Sequence, residues 1–102
     1  MKPPLPSWLE ALNEDDLQFL KRFVLHSESL KALGDEYEVS YPTVRGRLDR
    51  LIAKVRAADD PKVTDAFQRR LQVLVADGQM AAALARELWK AHRAALEEEK
   101  VR

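Results

Sequence analysis

The stretch Ser40–Ile52, SYPTVRGRLDRLI, constrains this chain more than any other. Ser40 is a good helix cap, and Pro42 then falls in the first turn, where the missing N–H costs no intrahelical bond. From there Val44, Leu48, Leu51, Ile52 and Val55 gather within roughly a 100° arc. The opposite arc displays Pro42, Thr43, Gly46, Asp49 and Arg50, flanked by Arg45 on one side and by Arg47 and Lys54 on the other. The spacing predicts a helix with a sharply fixed start running to about Ala58, apolar on one side and polar to basic on the other.

Composition agrees with a helical chain. The 102 residues suffice for one small domain with a modest core. With 46% apolar and 33% charged residues, the chain is expected to fold rather than stay disordered. Only three glycines appear, while Ala, Leu, Arg and Glu abound. Cysteine is absent, which excludes disulfides, thiolate metal sites and a cysteine nucleophile, and fits a reducing cytosol. The start, MKPPLPSW, is broken by proline and lacks the apolar run of a signal peptide. The apolar run around MAAALA is far too short to span a bilayer. A soluble, cytoplasmic protein with no membrane contact is expected.

Other helix signals punctuate the chain. Ser7 and Glu10 match a capping box for a short helical turn over Trp8–Leu12. Asn13 caps a second helix with Glu14, Asp15 and Asp16 in its first turn, where the helix dipole favours anions. Leu17, Leu20, Phe23 and Val24 form its expected stripe. Ser29–Tyr37 is a short third helix, with Leu30, Leu33 and Tyr37 on one side. Asp60-Pro61 reads as cap plus first-turn proline for a helix striped by Val63, Phe67, Leu71, Leu74 and Val75, ended by Asp77-Gly78. A last helix is marked by Met80, Ala83, Leu84, Leu88, Ala91, Ala95 and Leu96. Its end, Glu97-Glu98-Glu99, sets like charges at the negative pole of the dipole and is expected to fray.

The expected fold is all-α: a small helical bundle with a helix-turn-helix unit over residues 1–58 and a helical hairpin over 59–102. Small residues on the last helix (Ala81, Ala82, Ala83, Ala85) let another helix approach closely, so the hairpin is the expected oligomerisation element of a homodimer. Net charge is zero, which alone argues against a nucleic-acid binder. Its distribution argues otherwise: Met1–Val39 is net −4, Ser40–Ala58 is net +4, and the remainder is balanced. Positive charge is thus concentrated on one helix, as an electrostatic footprint on DNA requires.

The run SLKALGDEYEVSYPTVRGRLDRLI, preceded by LPSWLEALNEDDLQFLKRFV, resembles a bacterial helix-turn-helix family of unassigned function. Longer members carry a cysteine zinc ribbon ahead of a matching SYPTVR-x-RLD helix. The likeness covers roughly Leu5–Val55 and implies sequence-directed binding to double-stranded DNA and transcriptional control. This chain has no ribbon cysteines, and Glu38 stands where the tight turn usually takes glycine.

The candidate DNA-binding residues are Ser40, Tyr41, Thr43, Arg45, Arg47, Arg50 and Lys54. With the Tyr41–Ala57 helix in the major groove, Arg45 is placed to read guanine, while Arg50 and Lys54 meet phosphates. An Arg45–Asp49 pair within the helix is the structural alternative. Arg47 either joins the phosphate contacts or folds back to an acid of a preceding helix. Ser40 is also explained by capping, and Tyr41 by packing on the first helices. Asp35, Glu36 and Glu38 place negative charge nearby, which favours a rival reading: an interaction module of helix-turn-helix ancestry that does not engage DNA. His26 and His92 lack partners at metal-ligand spacing. No phosphate loop or nucleophile–base set can be assembled. No metal, cofactor, small-molecule ligand or catalysis is expected.

Overall fold

The computed structural model describes residues 4–26 and 29–101. Six helices follow one another among them: α1 (Ser7–Glu10), α2 (Glu14–Leu25), α3 (Leu30–Glu36), α4 (Tyr41–Ala58), α5 (Ala66–Ala76) and α6 (Ala82–Val101). The fold is all-α. Among the described residues no helix is long and apolar enough to cross a membrane.

Local chemistry places most of the helix starts. Asn13 accepts from the Asp16 N–H at 2.9 Å, and Asp16 accepts from the Asn13 N–H at 3.0 Å, a reciprocal box that satisfies two end donors. Ser29, Ser40 and Asp65 cap α3, α4 and α5 in the same manner from one side. Two expected starts are corrected. Ser7 forms no box with Glu10: α1 begins one residue earlier, on Pro6, whose carbonyl accepts from Leu9 and Glu10. Asp60-Pro61 opens no helix either. The Asp60 side chain accepts from the Lys62 N–H at 2.9 Å in a local turn, and the α5 helix waits for Asp65. The Arg69 guanidinium then holds the intervening loop by donating to the Val63 carbonyl at 2.8 Å.

The core of the first four helices is Leu12, Phe19, Leu33, Val44 and Leu51, surrounded by Trp8, Leu20, Phe23, Tyr37, Leu48 and other half-buried apolar groups. Phe19, absent from the expected α2 stripe, is its only buried residue, while Val24 stands 61% exposed. The inward face of α2 therefore runs through Asp16, Phe19, Leu20 and Phe23, rotated from the expected one. α5 lies against α4 and α6 against α5. Ala58, Val63, Leu71, Val73 and Ala85 are buried along these contacts. Ala85 is thereby occupied within the hairpin.

The α6 helix runs unbroken through Glu97–Glu99 to Val101, where fraying was expected. All three glutamates are exposed, so water screens their repulsion, and Lys100 complements the last turn. At about 1.5 Å per residue the 20-residue α6 spans roughly 30 Å, against about 16 Å for the 11-residue α5. Half of α6 therefore extends past its partner. The radius of gyration, 17.2 Å, reflects this projection; a compact chain of this size has roughly 13 Å.

Candidate nucleic-acid interface

The α3–α4 turn is built by backbone bonds at the end of α3. The Glu38 N–H donates to the Asp35 carbonyl at 3.2 Å, and the Val39 N–H to the Gly34 carbonyl at 2.9 Å. This closure needs a left-handed residue, and Glu38 supplies it at φ 58°. Glycine is favoured one turn earlier, at Gly34, for a different reason. A Cβ on Gly34 would lie 3.1 Å from the Val39 carbonyl oxygen, inside a buried contact. This short turn leads from α3 into α4, whose apolar side lies on the core.

The exposed side of the first half of α4 presents Tyr41, Pro42, Arg45, Gly46, Asp49 and Arg50. Ser40 Oγ and Thr43 Oγ1 are 2.9 Å apart, and Ser40 Oγ also accepts from the Thr43 N–H, so both hydroxyls serve the helix start. Tyr41 is exposed rather than packed on the first helices. Arg45 pairs with Asp49 at 3.3 Å; both side chains remain about half exposed. Such a pair in water contributes no more than about 0.5 kcal/mol and releases readily. Around Gly46 nothing lies within 4 Å of where a Cβ would be. The backbone is bare there.

Two of the expected contacts are engaged within the protein: Arg47 at the surface, where it stays exposed, and Lys54 in the interior. Arg47 lies back over the Phe19 and Tyr37 rings, 5.0 and 5.5 Å from their centroids, and donates to the Asp15 carbonyl at 3.3 Å. Phe19 and Tyr37 stack at 6.1 Å, and Arg22 covers Tyr37 from α2 at 5.0 Å. Arg47 is thus a clamp between α2, α3 and α4. Lys54 is the larger correction. Its side chain is 3% exposed and its ammonium is held by Asp16 of α2 and, at 3.3 Å, by Asp77 at the end of α5. It cannot reach a phosphate from there. Burying an ammonium demands paired carboxylates, and these two meet that demand.

Asp77 records the balance. Burial raises its pKa, but hydrogen bonds from Gln79 and Lys54 and the charges of Lys54 and Arg50 outweigh that and hold it below the ordinary aspartate value. Asp77 also closes α5. The Gly78 N–H reaches the Val75 carbonyl and the Gln79 N–H the Leu74 carbonyl, both at 3.0 Å, with Gly78 at φ 76°. A polar hollow of about 670 Å³ opens beside this junction, walled by Asp15, Asp16, Pro42, Thr43, Gly46, Arg47, Arg50 and Asp77 among others.

Short helix, tight left-handed turn, and a longer helix with a bare, polar outer face define a helix-turn-helix domain. Residues 12–58 match the family model described as Domain of unknown function (DUF2089)-HTH, in agreement with the helix-turn-helix fold of this segment. No curated protein and no solved structure matches the chain.

Proposed function

We propose that this protein is a small DNA-binding transcriptional regulator that acts as a homodimer through its C-terminal helices. The observation that carries this reading is the outer face of α4, where Arg45, Gly46 and Arg50 stand exposed at the N-terminal half of the second helix of the unit. In that position Arg45 exchanges Asp49 for guanine O6 and N7, and Gly46 lets a base edge or sugar approach the backbone closely. Arg50 meets phosphate, and Tyr41 and Thr43 border the same face. Two copies supply the contact area that one small module lacks.

The test is anisotropy of a labelled mixed-sequence duplex, titrated at about 50 and 200 mM salt. Binding that weakens with salt supports the proposal. Because Lys54 is buried in ion pairs, it adds nothing to the salt slope, which should be shallow and set by the few exposed basic residues of α4. Absence of binding in low salt overturns it.

One observation favours the rival reading of a protein-interaction module. The hollow beside α4 is walled by Asp15, Asp16 and Asp77 as well as by arginines, and phosphates would meet those carboxylates. A chain that ignores DNA but is retained by a specific protein partner belongs to that reading.

A further inference from the structure

The strip of α6 that faces α5 continues where α5 has ended. Nearer the turn this strip is covered: Ala85 is buried, and His92 stacks on Phe67 with ring centroids 4.4 Å apart. Between these two Trp89 is half-buried, its ring centroid 5.8 Å from that of His92, and farther out the strip carries Leu96 and Lys100 with Arg93 on its flank. Leu96 stands 45% exposed beside an open hollow of about 400 Å³ walled by Trp89, Arg93, Leu96, Glu97 and Lys100 among others. An apolar strip that outlasts its partner helix needs another helix.

Charge selects the occupant. Within α6, Ala82–Arg93 carries Arg86, Lys90 and Arg93 against Glu87, net +2. Ala94–Val101 carries Glu97, Glu98 and Glu99 against Lys100, net −2. A second α6 laid alongside in parallel would set like against like. Laid antiparallel it sets each basic half against an acidic half and opposes the helix dipoles.

We infer that two copies of this chain pair through antiparallel α6 helices about a two-fold axis near His92 and Arg93. This deepens the paired reading above and rests on it. Trp89 then meets the partner's Leu96, both copies alike, as a two-fold interface requires. Arg86 and Glu97, on the same flank at about 10 and about 7 Å from the axis, are close enough for their long side chains to form two equivalent cross-pairs.

Sedimentation equilibrium of the full chain without DNA tests the pairing, whatever its affinity for DNA. Two chains per particle are expected, and Leu96→Asp should return one chain with unchanged helical circular dichroism. A wild-type chain that stays single at high micromolar concentration overturns the pairing itself. Orientation is tested by cysteines placed in this cysteine-free sequence. Arg93→Cys lies near the axis and should cross-link to its own copy on oxidation. Lys100→Cys lies about 22 Å from its mate in the antiparallel pair and should not. Dimers in which Lys100→Cys self-links and Arg93→Cys does not would keep the homodimer and overturn the antiparallel arrangement. Charge reversal adds a third reading: Arg86→Glu should weaken the dimer, and adding Glu97→Arg should restore it.

Discussion

Lys54 of α4 and Asp77 at the end of α5 lie 3.3 Å apart, with Asp16 of α2 on the same ammonium. One buried cation therefore ties the helix-turn-helix unit to the first helix of the hairpin. Removing it leaves two carboxylates facing each other, one 16% and the other 13% exposed. Lys54→Ala should destabilise the fold by about 3–5 kcal/mol. Chemical denaturation reads this as a lower midpoint at unchanged slope. A loss under about 1 kcal/mol would mean that water, not Lys54, satisfies the two carboxylates.

Acid should act through the same junction. The pKa of Asp77 is lowered in the folded chain, so its contribution to stability is full above the ordinary aspartate value of 3.8 and is lost as pH falls through the lower folded value. Asp77→Asn should cost stability at neutral pH and flatten the decline below about pH 4. Thermal unfolding of both proteins across that range measures the difference. Parallel curves would remove Asp77 from the acid response.

Two helix ends in this chain use the same backbone closure with different residues. Gly78 adopts φ 76° without a Cβ, whereas Glu38 adopts φ 58° with one. The left-handed conformation costs a non-glycine residue about 1 kcal/mol. Glu38→Gly should therefore stabilise the protein by about that amount, and it also removes a negative charge beside α4. Its unfolding midpoint should rise. A fall would show that the Glu38 side chain makes a contact worth more than the strain.

Gly46→Ala separates folding from recognition. The position is open, so alanine should stabilise α4 by about 0.5–1 kcal/mol through helix propensity alone. If the bare backbone meets DNA closely, the same methyl should weaken duplex binding while stability rises. Arg45→Ala should instead relax sequence preference. Gly46→Ala with unchanged binding would place the DNA elsewhere on the protein.

Helix ends were legible where a side chain reaches only three residues along its own chain. Asn13 and Ser40 announced α2 and α4, and Asp77-Gly78 announced the end of α5, because capping is local geometry. The turn at Glu38 was marked only by the family likeness, in which glycine usually stands there, and Glu38 adopts the left-handed conformation all the same. Asp60-Pro61 misled because an aspartate side chain bonds a following N–H equally well in a turn, and only the chain beyond it decides which. The α2 face was misjudged because Leu17 and Val24 are as apolar as Phe19. Nothing within that helix says that Phe19 must meet Tyr37 and Arg47.

Sequence by itself determined the helical class, the helix-turn-helix unit and the exposed run of Arg45, Gly46 and Arg50, all consequences of periodicity and caps. Tertiary structure alone decided what the basic residues of α4 contact and that Lys54 is withdrawn from solvent. Lys54 and Arg47 occupy the same flank on a helical wheel, yet one is drawn into a buried ion cluster and the other across two aromatic rings. Their partners lie 38 residues back at Asp16, 23 residues ahead at Asp77 and 28 residues back at Phe19. A charge's surroundings depend on which helices pack against it, and a one-dimensional pattern holds no distance between residues so far apart.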